Sequence, residues 1–283
     1  MYLNGIMLVS SILNFATARF HPGNDLPYIL FLPTYAATAW YHKRLALDLQ
    51  NDLQATLREV EAFALGEYTL ALAKGATLTA NEHARIVRKL ARYTGLSADY
   101  IERTNLRINI HRFCKELLRD ERRTVGRLDS RFKGIDRDAA GEESDYDPSM
   151  ANIMGPYTAT FNDYVRGELK FETDLPYEIM TPRVQPWRFD EHENQYVNVA
   201  ETLREAMTTN PHLKVTVANG YFDLATPYLA TRYTFTHLGI DPTLEKNLSM
   251  TYYEAGHMMY VHLPSLAKLK DDLTNFVRGA VPA

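Results

Sequence analysis

The sequence predicts an α/β fold, with strands of a parallel sheet near both ends of the chain and a large, mainly helical insertion between them. Three observations carry this. Residues 5–9, GIMLV, are a short continuous apolar run, the pattern of a strand buried on both faces. Residues 214–223 (KVTVANGYFD) and 247–256 (NLSMTYYEAG) alternate in polarity and are rich in β-branched and aromatic side chains. The long stretch between the first run and the last two has mostly helical periodicity.

Taken in order, the first strand is bounded by Asn4–Gly5 and Ser10–Ser11. Residues 22–33, PGNDLPYILFLP, are punctuated by Pro and Gly and read as a loop. Residues 36–122 read as helical. The clearest case is TANEHARIVRKLARYTG. Thr79 and Glu82 form a capping box, Val87, Leu90 and Ala91 an apolar stripe, and Gly95 a stop. IHRFCKELLRDERR is a second helix, closing in a cationic turn that suits a helix C-terminus.

Residues 123–156 include GRLDSRFKGIDRDAAGEESDYDPS, polar and rich in turn formers, and predict an exposed loop. Asp136, Asp138 and Gly141 fit the first, third and sixth positions of a calcium loop. Ala140 stands at the fifth and Asp147 replaces the final Glu, so a solvated acidic loop is the preferred reading. Residues 157–169 and 195–207 read as helices. So does TPYLATRYTF, with Thr226 as N-cap and Pro227 in the first turn. A last helix opens at Pro264–Ser265 and buries Leu266, Leu269, Leu273 and Phe276. The ends are thus assigned to the α/β core (1–35 and 200–283), and 36–199 to a cap or lid inserted into it. Three parallel strands leave an apolar edge open to water, which predicts further strands N-terminal to Met1.

Composition narrows the function classes. A net charge of −4 argues against a nucleic-acid or anionic-membrane partner. No run approaches the roughly 18 apolar residues of a membrane span. The one cysteine, Cys114, excludes an intrachain disulfide and a cysteine-based zinc site, and its helical setting predicts a buried structural thiol. No histidines have metal-binding spacing, so neither metal nor cofactor is expected.

Asp223 and His257 carry the chemistry. Each lies just past a predicted strand, and ligands of open α/β sheets bind beyond the carboxyl ends of the strands. One strand–helix–strand unit separates them, so they can meet in space. An Asp bound to one imidazole nitrogen fixes the tautomer and leaves the other nitrogen as a base. The order Asp then His is that of the last two members of an α/β-hydrolase triad.

Four blocks, LNGIMLVSSILNF…PGNDLPYILFLP, GRLDSRF…YDPS…GPYTATFNDYVR, NGYFDLATP and YYEAGHMMYVH, resemble bacterial members of the serine carboxypeptidase family, α/β-hydrolases that release C-terminal residues from peptides. The resemblance spans essentially the whole chain. It implies that these residues form the C-terminal portion of an α/β-hydrolase sheet with its cap. It makes Asp223 the triad acid, His257 the general base and Met258 part of the pocket for the leaving residue. It also implies a peptide substrate and export to the periplasm or medium.

The family's nucleophile lies in G-E-S-Y-G, upstream of the strand matching GIMLV, and no G-x-S-x-G occurs in this chain. Ser10 and Ser11 have no flanking glycines to permit a nucleophile elbow, Ser249 lies inside a strand, and Ser144 and Ser149 lie in the acidic loop. The serine is therefore expected on a segment preceding Met1. Two other readings stand beside this one. One is a non-enzymatic remnant acting as a binding module; the other is an esterase or acyltransferase of the same architecture.

Overall fold

The computed structural model describes residues 3–281. It is an α/β structure. Strand β1 (Gly5–Val9) is followed by α1 (Leu26–Tyr41), α2 (Leu47–Gln50), α3 (Leu53–Phe63), α4 (Thr69–Lys74), α5 (Ala80–Thr94), α6 (Ala98–Arg103) and α7 (Ile110–Glu116). A short hairpin, β2 (Thr124–Val125) and β3 (Lys133–Gly134), leads into α8 (Pro148–Asp163). After a long irregular stretch come α9 (Ala200–Thr209), β4 (Lys214–Gly220), α10 (Tyr228–Thr236), β5 (Leu248–Tyr253) and α11 (Leu263–Ala280).

The main sheet has the order β1-β4-β5, all parallel, with Val9 opposite Ala218 and Asn219 opposite Tyr252. Val215 and Val217 of the central strand are fully buried against Met207 of α9 and Phe235 of α10. On the opposite face, Ala218 and Tyr253 pack with Met259 and Leu269. A third and larger core joins α1, α3, α5 and α7 to Phe222, Leu224 and Tyr228, so these helices share packing with the loop that carries Asp223.

The capping box at Thr79–Glu82 and the left-handed Gly95 stop are present as expected. Other expectations change. Of the loop expected at 22–33, residues 22–25 are irregular as expected but 26–33 are the first half of α1, and position 35/36 lies inside that helix. Pro27 sits in the first turn, where a missing N–H costs nothing. Pro33 lies mid-helix, but Leu30, Phe31, Leu32, Tyr35 and Ala36 are all buried around it, and packing overrides propensity.

Strand β1 is not buried on both faces. Ile6 and Leu8 face the core, but Met7 is 46% exposed because α11 covers only the strand's start, through Phe276 and Ala280 over Gly5. Leu266 of α11, expected in the core, is 41% exposed for the same reason: the sheet beneath it ends at β1. Leu269 is buried as expected.

The helix expected at 195–207 begins only at Ala200, because Val197 and Asn198 pair with the segment near Asn14. Helix α10 begins at Tyr228 with Pro227 as its N-cap, since the Thr226 hydroxyl is committed to Asp223. No helix among the described residues is long and apolar enough to cross a membrane. Cys114 is buried, and burial pushes its thiol well above the usual range.

Candidate active site

Strand β4 ends at Gly220, and its ladder with the β5 side continues through Tyr221 N–H to the Tyr253 carbonyl and Phe222 N–H to the Ala255 carbonyl. This continuation brings Asp223 and His257 together. Asp223 Oδ2 and His257 Nδ1 are 2.9 Å apart. The Asp223 side chain is fully buried, whereas that of His257 is 30% exposed.

Every acceptor position of the carboxylate that faces protein is used. Oδ1 accepts from Ala225 N–H (2.7 Å) and Thr226 N–H (2.9 Å), and Oδ2 accepts from the Thr226 hydroxyl (2.7 Å). These bonds hold the acid in one orientation and fix its second oxygen toward the imidazole. Burial is the largest influence on His257 and opposes its protonation. The hydrogen bond and charge of Asp223 together outweigh burial and the repulsion from Arg127, so the imidazole titrates above its ordinary value. With Nδ1 turned to Asp223, Nε2 is the nitrogen left to exchange a proton, and it makes no hydrogen bond among the described residues.

Sequence reasoning missed what holds the two site loops. Residues 127–130, expected in an exposed loop, are mostly buried between them. The Arg127 carbonyl accepts from Leu224 N–H (3.1 Å), the Leu128 carbonyl from His257 N–H (2.7 Å), and Ser130 N–H donates to the Phe222 carbonyl (3.0 Å). Asp129 Oδ2 accepts from Gly256 N–H at 3.1 Å and is paired with Arg131 at 2.7 Å. Arg131 in turn donates to the Glu254 carbonyl (2.9 Å). One short segment thus clamps the acid loop and the base loop to each other.

The approach is close enough to require glycine at two places. A Cβ at Gly220 would lie 2.3 Å from the Gly256 carbonyl oxygen, and one at Gly256 would lie 2.5 Å from Asp129 Cα and from the Leu128 carbonyl oxygen. The clamp is anchored from behind. The Thr38 and Ser130 hydroxyls are 2.6 Å apart, and His42 Nε2 lies 2.7 Å from the Ser130 carbonyl. The sequence did hold a signal for this: Asp129 and Arg131 flanked by Leu128 and Phe132 are an ion pair set among apolar neighbours.

The remaining candidates fall into place around this centre. Ser10 adopts a left-handed backbone (φ 49°) despite having no glycine neighbour, but its hydroxyl donates to the His257 carbonyl (2.5 Å), not to the ring. Ser249 bonds the strand backbone. Ser149 is fully buried and accepts from Leu128 N–H (3.1 Å), while Ser144 bonds Thr124. Ser149 thus lies at the start of α8, not in the exposed loop, whereas Ser144 is in that loop as expected. Met258 is buried beside His257 and does not line the large cleft next to the Asp223 loop.

The acidic loop is organised by a cation of the protein itself. Lys115 Nζ contacts Asp136 (2.5 Å) and the Asp138 carbonyl (2.9 Å), the ligands a calcium ion would need. Asp147 instead caps α8 and accepts from the backbone of Arg127 and Leu128. No group of three or more His, Cys, Asp or Glu side chains among the described residues is arranged to hold a metal.

No family model, curated protein or solved structure matches this chain.

Proposed function

We propose that Asp223 and His257 are the acid and base of a hydrolytic acyl-transfer centre of the serine carboxypeptidase kind. The observation that carries this is the 2.9 Å bond between a fully buried Asp and a partly exposed His. Both stand past the carboxyl ends of adjacent parallel strands, and Nε2 is free to act. In this reading Nε2 takes the proton of a serine hydroxyl as its oxygen attacks the peptide carbonyl. It then gives that proton to the departing amine, and water hydrolyses the acyl-enzyme by the same relay. Asp223 keeps the imidazole in the Nδ1–H tautomer and stabilises the imidazolium.

The serine is proposed to come from a strand paired along the outer edge of β1. That edge has no partner among the described residues, and Val9 and Ser10 at its end lie beside the His257 loop. A parallel neighbour would sit about 4.8 Å away, which brings the turn at its carboxyl end close to the imidazole.

The test compares hydrolysis of a blocked dipeptide by this chain and by a chain extended upstream to include the candidate serine, each with His257→Ala. Activity only in the longer protein, falling by about 10⁴-fold with His257→Ala, is expected. An inert but folded longer protein, or activity indifferent to His257, overturns the reading. Hydrolysis of the matching ester but not the peptide would favour the esterase reading.

A further inference from the structure

A cleft of about 560 Å³ opens beside the Asp223 loop, with Leu224 and Ala225 in its wall. That volume suits a small ligand or a few residues of a peptide. Its two charged side chains, Arg19 and Arg127, have one sign and stand beside the neutral Asn109 and Gln195. Arg19, His21, His111 and Arg127 line it, and no Asp or Glu does, although the chain as a whole is acidic. Neither Arg19 nor Arg127 forms an ion pair among the described residues, whereas the nearby Arg107 and Arg131 are paired with Asp25 and Asp129. The Arg19 guanidinium lies over the Phe15 ring, 5.2 Å from its centroid. Phe20, Phe189 and Tyr196 add further aromatic surface.

Unpaired cations on a concave, partly apolar wall concentrate positive potential where an anion would enter. Arginine is suited to the task, because its fork matches a carboxylate and its face stacks on aromatic rings. The cleft borders the candidate active site, sharing Leu224 and Ala225 of the acid loop and Arg127 of the clamp. Arg127 is close enough to His257 to oppose its protonation, and the Arg127 carbonyl holds Leu224.

We infer that this cleft binds an acidic peptide, taking a side-chain carboxylate at Arg19 and Arg127 and an adjacent aromatic group against its Phe and Tyr walls. The inference rests on the proposed function in one respect: it names the substrate class of that same site. Binding itself does not require the nucleophile, so the two can fail separately.

The experiment is calorimetric titration of this chain with benzyloxycarbonyl-Glu-Phe, -Gln-Phe and -Lys-Phe, which differ chiefly in the charge of one side chain. The Glu peptide is expected to bind about tenfold more tightly than the Gln peptide, with the Lys peptide weakest, because a hydrogen bond to a charged group is stronger than one between neutral groups. Arg19→Gln and Arg127→Gln should each remove about tenfold from the Glu peptide and leave the Gln peptide unchanged. Arg127→Lys should retain most of the preference, and high salt should erase it.

Equal binding of the three peptides, a preference that survives both Gln variants, or no binding at all overturns the inference. The same titrations with His257→Ala, read beside hydrolysis by the longer protein, separate the two ideas. Charge-selective binding without hydrolysis upholds the cleft and removes the acyl-transfer reading. Hydrolysis without charge selectivity removes the cleft and upholds acyl transfer.

Discussion

Two stretches of the long segment between β1 and β4 treat apolar side chains in opposite ways. From Leu26 to Leu118, the helices draw Leu30, Tyr35, Leu90 and Phe113 into one core that also takes in Phe222 and Leu224 of the acid loop. From Met150 to Val199, comparable side chains stay outside. Tyr157, Phe171, Met180 and Trp187 are all exposed, and within α8 only Pro148 and Ser149 at its start are buried. The second stretch is somewhat poorer in apolar residues, but the two also differ in what they pack against. The first rests on α10 and on the clamp at residues 127–130; the second touches the body through the small β2–β3 hairpin and the rim of the cleft. The relative position of Asp223 and His257 is therefore set by the first stretch and its clamp, while the second contributes surface.

The strongest way to break this contrast is to remove the clamp's ion pair. Asp129→Ala leaves Arg131 partly buried without its carboxylate and deprives Gly256 N–H of its acceptor. Breaking a buried pair costs about 3–5 kcal/mol, so chemical denaturation should give an unfolding free energy lower by that amount, with a correspondingly lower midpoint. A loss below about 1 kcal/mol would mean that the clamp does not hold the site.

Protonation gives a finer probe, because two histidines attached to the clamp shift in opposite directions. Burial lowers His42 below its ordinary 6.5, only partly offset by its bond to the Ser130 carbonyl. His257 is raised above 6.5, with Asp223 outweighing burial. The signs follow from linkage. His42 contributes stability above pH 6.5 that is lost as pH falls through its depressed value. His257 contributes stability below pH 6.5 that is lost as pH rises through its elevated value. Denaturation midpoints against pH should therefore lose their acid-side fall in His42→Gln and their alkaline-side fall in His257→Gln. If the proposed acyl-transfer reading holds, hydrolysis should rise with pH through the elevated His257 value, since Nε2 must be unprotonated to act as base. A rate that falls through that interval would contradict the assignment of His257 as base.

The sequence exposed those features whose causes are local. The strand at 5–9 follows from its apolar run and those at 214–220 and 248–253 from alternation and β-branching, the α5 cap from Thr79 and Glu82, and the meeting of Asp223 with His257 from their places after neighbouring strands. Other features depend on a partner distant in sequence. Pro27 and Pro33 read as loop residues until α1 is seen to be enclosed by packing. Arg127 to Ser130 read as solvated until Asp129 meets Arg131 and the two site loops use the backbone around it. The exposure of the apolar residues after α8 is of the same kind, because a linear pattern cannot reveal what packs over them.

That last stretch yields the smallest expected effect and the sharpest control. Phe171→Ser and Trp187→Ser should each change stability by less than about 0.5 kcal/mol, as surface substitutions do, because the two side chains are 59% exposed. A thermal melt of each variant checks this directly. Phe189 and Tyr196 belong to the same stretch but line the cleft, so Tyr196→Ser should spare the melt and weaken the acidic peptide. Should Trp187→Ser cost more than about 1 kcal/mol, the stretch must pack against another surface in solution. The contrast between the two stretches would then be one of partner rather than of exposure.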